Sequence, residues 1–370
     1  MRVSPRLLMN KLVDIRSVTT LKDRVIPSYN QLPYSNLHNL HWPSDKPLQN
    51  IYVVKKPWVP DVRDAMMKFI TFIHQRHPNC NIIVSPDVAD EIAEETKESK
   101  QPCVIYSGKN SEIVQKTDLL VSLGGDGTIL RGVSTFSNTV VPPVLSFSLG
   151  TLGFLLPFNF QSFENAFEEV YQSQAKLLHR SRLECHFTKK NNTKALDGDI
   201  NDSRIKIHAM NDIVLHRGSM PTLTTLEICI DDQLFTRTTA DGIILATPTG
   251  STAYSLSAGG AIVNPAVPCI LMTPICPRSL SFRPLVLPAT SKIKVKVIGK
   301  EQSRTSNAKL TVDGVPQDYL NPGDEIYVNT ETASPDKDTG IWCVVKSDHD
   351  WTSGINELLG FNSGFKGTNK

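Results

Sequence analysis

The chain has 370 residues, 40% of them hydrophobic and 21% charged, with a formal net charge of +2. Such a length can bury a sizeable core and suggests about two domains. The balanced charge leaves no overall field pointing to nucleic acid or a membrane surface as partner, and no apolar run reaches the length that spans a bilayer.

The first sixteen residues carry Arg2, Arg6, Lys11 and Arg16 against one acid, Asp14, with Leu7, Leu8, Met9, Leu12 and Val13 between them. After Pro5 this is the basic, acid-poor, amphipathic composition of a mitochondrial transit peptide; a frayed basic tail fits it equally well. Residues 17–48 are polar, carry Pro27, Pro33, Pro43 and Pro47, and keep no period. They read as loop, so 1–47 is expected to be leader and linker. The pattern then changes. Asn50–Lys55 reads as a buried strand, and Pro60 opens a helix whose Val62, Met66, Phe69, Ile70 and Ile73 form one apolar face. Strands follow at Asn81–Val84, Val104–Tyr106, Leu119–Leu123 and Val144–Ser148, with helices at Asp87–Thr96 and Thr128–Phe136. This alternation predicts an α/β domain over 48–165 with a largely parallel sheet.

A helix at Phe163–Tyr171 bridges to a different rhythm. Short β-branched segments at Leu183–Phe187, Ile213–Leu215, Leu226–Ile230, Ile243–Leu245, Ile293–Ile298, Leu310–Val312, Ile326–Val328 and Ile341–Val345 are punctuated by glycine, proline and asparagine. They predict an all-β, sandwich-like domain over 166–348. Lys189–Arg204 and Thr330–Thr339 are polar and expected to be mobile. Residues 349–370 are expected to pack back on the N-terminal domain.

The strongest chemical signal is an apolar strand running into Gly124-Gly125-Asp126-Gly127-Thr128 and opening a helix. Glycines let the backbone approach a phosphate closely, and amides at a helix start supply donors and partial positive charge. A carboxylate in that place repels phosphates. Proton abstraction from a hydroxyl attacking a γ-phosphate would give Asp126 a purpose; the bland alternative is a plain strand-to-helix turn. Neither Gly-x-Gly-x-x-Gly nor Gly-x-x-x-x-Gly-Lys-Ser/Thr occurs, which excludes Walker-type ATPases and disfavours a conventional dehydrogenase.

A second constellation is Thr247-Pro-Thr-Gly-Ser-Thr-Ala-Tyr254, followed by Ser255, Ser257 and Gly259-Gly260. Its hydroxyls look too many for packing alone to satisfy, so the loop offers them to phosphate and adenine; a hydroxyl-rich helix cap reads equally well. Asp241 precedes a strand leading into this loop, and Asn211-Asp212 side by side suits a pair of ribose hydroxyls. Each alone is an ordinary turn or cap. His179, His186, His208 and His216 lack metal-site spacing, and the seven scattered cysteines argue against a disulfide framework or a zinc site. No metal ligands are expected from the chain.

Gly124–Thr128, Gly150–Phe154, Asn211-Asp212, Asp241-Gly242 and Thr247–Tyr254 occur in the order seen in NAD kinases, which the chain resembles over roughly residues 48–365. Pro47–Pro57, Leu271–Pro284 and Gly354–Phe365 resemble the fungal mitochondrial NADH kinase branch. The resemblance implies an α/β domain and a β-sandwich domain with the active site in the crevice between them. It also implies ATP-dependent phosphorylation of NADH and NAD at the adenosine 2′-hydroxyl, in the mitochondrial matrix. Asp126 would be the general base, while Gly125, Gly127 and Thr128 approach phosphates and Phe154 packs on the dinucleotide. Asn211 and Asp212 would hold a ribose, Asp212 standing where many members have Glu. Asp241 would sit near the nicotinamide end, and Thr249, Thr252, Ala253, Tyr254 and Ser257 would line the adenosine portion. Arg131, one turn after Thr128, is our own addition as a partner for ATP phosphates. Mg²⁺ would arrive with the nucleotide, and a homo-oligomer is implied. A lipid or sugar kinase sharing Gly-Gly-Asp-Gly is the rival enzyme, and a non-catalytic dinucleotide-binding regulator the rival from another class.

Overall fold

A computed structural model describes residues 13–95, 103–150, 153–188, 206–299, 307–331 and 339–360. The chain splits into two units, one made of Met1–Thr135, Pro142–Leu177 and Cys343–Lys370, the other of Phe136–Val141 and Leu178–Trp342. In chain order the first part gives β1 (Val13–Ser17), β2 (Ser28–Gln31), β3 (Leu37–His41), β4 (Asn50–Lys55), α1 (Pro60–Arg76), β5 (Asn81–Ile83) and α2 (Pro86–Glu95). Then come β6 (Cys103–Ser107), α3 (Asn110–Lys116), β7 (Leu119–Gly124), α4 (Asp126–Ser134), β8 (Val144–Ser148), β9 (Phe158–Asn159), α5 (Phe163–Tyr171) and β10 (Lys176–Arg180). The second part supplies β11 (Leu183–Thr188), β12 (Ile207–Ala209), β13 (Asp212–His216), β14 (Thr224–Ile230), β15 (Gln233–Ala240), β16 (Gly242–Ala246), α6 (Tyr254–Ser257) and β17 (Cys269–Ile275). It continues through β18 (Leu285–Pro288), β19 (Ile293–Ile298), β20 (Ala308–Val312), β21 (Val315–Leu320) and β22 (Glu325–Thr330), and the chain ends in β23 (Ile341–Val345) and α7 (Asp350–Leu359).

The first unit is built on a sheet in the order β1-β6-β5-β4-β7-β8-β23-β10-β3-β2, with β9 also on β8. The pairings from β1 through β8, and β23 on β8, are parallel. Every residue of β4 and β8 is buried, as expected where helices cover both faces of a parallel sheet. Helix α1 buries Val62, Met66, Phe69, Ile70 and Ile73, the face expected from their spacing. Phe69 and Phe72 of α1 meet Phe163 and Phe167 of α5 edge to face, a geometry that adds to simple burial.

The second unit is a sandwich of two sheets, β12-β11-β22-β19-β14-β15 and β18-β17-β16-β13-β20-β21. Their pairings are antiparallel, and β19 and β20 alternate buried with half-buried residues, one face to the core. Leu226, Ile228, Val295 and Ile326 of one sheet share a core with Ile213, Leu245, Met272 and Leu310 of the other. Strands β13, β16 and β17 are buried on the other face too, where Ala258 and Val263 pack against Val214, Ile244 and Leu271. The hydroxyl-rich segment is thereby laid over the back of this sheet.

Two expectations need correction. The stretch 1–47 is not merely leader and loop: β1, which begins at Val13 inside the expected leader, pairs in parallel with β6, and β2 pairs antiparallel with β3, extending the first sheet. β1 and β2 are short and mostly exposed and β3 is only partly buried, so they lack the apolar runs that mark interior strands. Ile341–Val345, expected in the β-rich domain, instead pairs through Cys343 with Val144 of β8; its wholly buried sequence suits the interior of the parallel sheet. Residues 1–12, Lys189–Arg204 and 332–338 lie outside the described residues. Among the described residues no helix is long and apolar enough to cross a membrane.

Candidate functional site

The expected residues fall into two groups, one in each unit. In the first unit β7 ends beside β4: Lys55 is opposite Leu123, and Lys56 donates its amide to the Leu123 carbonyl at 2.9 Å. The carboxyl edge of a parallel sheet is where ligands collect. At Gly124 φ is +152°, and a Cβ would strike the Thr128 hydroxyl and crowd Lys56, so only glycine fits. Gly125 then caps α4, and its amide approaches Thr128 Oγ1 at 3.4 Å. At Gly125 and Gly127 a Cβ would meet nothing within 4 Å. The protein's own packing does not require glycine there, and the bare backbone is open to close approach from outside.

Asp126 is the first residue of α4, half-buried, rather than part of a bend before the helix. A carboxylate at a helix start is stabilised by the helix dipole, so it has a structural reason as well as a chemical one. Its Oδ1 accepts from Leu155 N at 3.2 Å, and its carboxylate lies so close to Gly153 that a Cβ there would collide with it. The Gly153–Leu155 segment therefore orients Asp126, and half-buried Phe154 lies in that same segment. Lys56, Gly125, Gly127 and Thr128 face a depression of about 350 Å³ that Arg131 also lines. Arg131 pairs with Asp87 at 3.1 Å, both side chains more than half exposed; such a pair is weak and easily exchanged for a phosphate.

In the second unit, antiparallel pairing sets Asp212 opposite Ala246 and so places Asn211-Asp212 beside Thr247. Thr247 fastens the loop: its amide donates to Asn211 O at 2.9 Å, its hydroxyl to Met210 O at 2.6 Å, and Gly250 N donates to its Oγ1 at 3.0 Å. A Cβ on Gly250 would collide with the Asn211 carbonyl, so this glycine serves a close backbone approach. The hydroxyls of Thr247, Thr249, Ser251 and Thr252 all have partners within the unit. Packing therefore satisfies four of the five hydroxyls expected to be in excess, through backbone carbonyls and Arg180, while the fifth residue, Tyr254, is exposed. Thr249 is buried, Thr252 and Ala253 half-buried, and Tyr254 and Ser257 exposed.

Asp212 is buried and its carboxyl is pushed up to about 7, first by burial, then by the neighbouring charge of Asp313, against a hydrogen bond from the Tyr254 amide. Asn211 Oδ1 is buried without a hydrogen-bond partner, a cost that a donor from a ligand would remove. Asp241 is not beside them: it precedes β16, whose other end meets Asp212, a strand length of roughly 17 Å away. It is bound by Arg217 Nε. Tyr254 connects the two ends, since its amide bonds Asp212 while the Asp241 charge helps raise its phenol, after burial and Cys276.

Two contributors escaped sequence reasoning. Asp313 accepts the amides of Met210, Asn211 and Asp212 at 2.8, 2.7 and 3.1 Å, holding that turn from a hundred residues away. The only available signal was the Asp313-Gly314 hairpin turn. Buried Arg180 donates to Thr249 Oγ1 at 3.2 Å; nothing local in sequence links the two.

Comparison with known proteins agrees along the chain. The ATP-NAD kinase N-terminal domain model matches residues 51–175 and the ATP-NAD kinase C-terminal domain model residues 210–337. The mitochondrial NADH kinase of Saccharomyces cerevisiae is 51% identical over 98% of this chain and 92% of its own length. That of Schizosaccharomyces pombe is 39% identical over 95% and 86%. A crystal structure of yeast NADH kinase complexed with NADH superposes with a TM-score of 0.86 at 54% identity, covering 96% of this chain and 99% of that one. An Archaeoglobus fulgidus NAD kinase in complex with ATP, at 21% identity and a TM-score of 0.59 over 84% of this chain and 99% of that one, shares the fold.

Proposed function

The chain belongs to the NAD kinase family, and from that premise we propose that it transfers the γ-phosphoryl group of ATP to the adenosine 2′-hydroxyl of NADH and NAD, with Asp126 as general base. NADH is the preferred acceptor in this reading, as the names of the fungal relatives suggest. As the 2′-oxygen attacks, its proton passes to Asp126, the new P–O bond forms, and the bond to the β-phosphate bridging oxygen breaks to leave ADP. Gly125, Gly127, Thr128 and Arg131 serve the triphosphate. Asn211, Asp212 and the Thr249–Ser257 segment serve the dinucleotide, with Asp241 toward its nicotinamide and Phe154 packing on it.

One observation carries the reading: Asp126 is oriented by Gly153 and Leu155 between two glycines whose outer faces are open. A divalent metal enters with the nucleotide as part of the substrate in this reading. The mitochondrial relatives support a mitochondrial location, and the matrix is the compartment proposed. A homo-oligomer is proposed on family grounds alone.

The test is steady-state turnover with NADH, NAD and ATP. Asp126→Asn is expected to lower turnover on the order of 10²–10⁴ with the fold intact. Near-normal turnover would remove Asp126 from the chemistry, and activity on diacylglycerol instead would select the lipid kinase alternative.

A further inference from the structure

Trp58 is 91% exposed and holds φ at +58°, a conformation that is strained for a bulky side chain and persists only where its surroundings enforce it. Pro57 precedes it, and Pro60 two residues later is the first residue of α1. Both fix their own φ and narrow the choices of the residue before them. An indole presented to solvent in this way fills no place in the core, so packing does not account for it.

What it faces does. Trp58, with Pro57, Val59, Pro60 and Val88, lines a second depression of about 550 Å³. Lys55, Pro57 and Arg131 line both this depression and the one at the glycine turn, so the two adjoin within the same unit. Their chemistry differs. The glycine side offers helix-start amides, Lys56 and Arg131 to a polyanion. On the tryptophan side Asp90 and Glu94 stand in the wall, while the cations there are paired, Arg63 with Asp64 at 3.0 Å and Lys55 with Glu91 at 2.7 Å. An acidic rim repels phosphate, yet it accepts hydrogen bonds from the amino group of a neutral aromatic base. A nucleoside triphosphate has these two ends.

We propose that Trp58 is the stacking platform for the purine of the phosphoryl donor and sets the donor's affinity. The assignment rests on the kinase reading above and deepens it by naming the subsite of the donor base. Stacking a base on an aromatic side chain depends little on which base is stacked.

The full chain is assayed with NADH while magnesium-ATP is varied, for the parent, Trp58→Ala and Trp58→Phe. Trp58→Ala is expected to raise KM for ATP on the order of ten-fold or more, with kcat and KM for NADH changed less than about two-fold, and Trp58→Phe to recover most of the loss. Magnesium-ADP is expected to quench indole emission in the parent and not in Trp58→Phe. Magnesium tripolyphosphate, which has no base, is expected to bind parent and Trp58→Ala alike. An active parent with an unchanged KM for ATP in Trp58→Ala overturns the assignment. Equal weakening of tripolyphosphate and ADP overturns it too, since that marks a merely structural role. A parent inactive with NADH and NAD sinks the kinase reading first and this one with it.

Discussion

Asp212→Asn should make the protein more stable while making it a poorer dinucleotide binder. The Asp212 carboxyl moves from an ordinary 3.8 to about 7, and at 1.36 kcal/mol for each tenfold change in acidity this disfavours the ionised folded form by about 4 kcal/mol at most. Stability is complete below the unfolded value of 3.8, falls as pH rises toward about 7, and is flat above it. Asparagine carries no charge, can still accept the Tyr254 amide through its own oxygen, and relieves the repulsion from Asp313. The gain at neutral pH is expected on the order of 1–4 kcal/mol. Urea denaturation of parent and variant at about pH 4, 6 and 8, at constant salt, measures it as a gap that widens with pH and then levels. The KM for NADH is expected to rise in the same variant, because an acceptor for ribose hydroxyls is replaced by a mixed donor and acceptor. A gap that does not change with pH, or a variant less stable than the parent at neutral pH, refutes the reasoning.

Gly127→Ala should leave the denaturation midpoint equal or higher, by up to about 1 kcal/mol for alanine in a helix, because a Cβ there meets nothing within 4 Å. Its KM for ATP should nevertheless rise about ten-fold or more if phosphate approaches that backbone. Gly250→Ala should behave in the opposite way, losing about 1–3 kcal/mol or more in the same denaturation experiment as the added methyl pushes the Asn211 carbonyl aside. Glu331→Gln breaks a buried pair in which Arg182 donates two bonds, at 2.8 and 2.7 Å, and should cost about 3–5 kcal/mol. Its urea midpoint reports the loss.

What could be read from the sequence depended on where each strand lies. Asn50–Lys55 and Leu119–Leu123 are mostly apolar and buried along their length because helices cover both faces of their sheet. Gln233–Ala240 and Leu285–Pro288 are edge strands that escape a sequence reading: the first opens on three exposed residues that break its alternation, and the second is only four residues long and ends in proline. At the site, the Gly124–Thr128 turn was legible because its requirements are local to the backbone. Asp313 was not, since its role exists only once β13 lies beside β20. The Thr247–Tyr254 loop was found partly for the wrong reason: most of its hydroxyls hold the loop together, whereas Gly250 and the exposed Tyr254 distinguish it.

The pairing of Val13–Ser17 with Cys103–Ser107 limits how far the N-terminus can be shortened. Processing upstream of Val13 spares the outermost strand of the sheet. A cut beyond Ser17 would strip it away and leave the amides and carbonyls of Cys103–Ser107 as an open template for other chains. The integrity of the sheet at this edge therefore depends on the chain from Val13 onward.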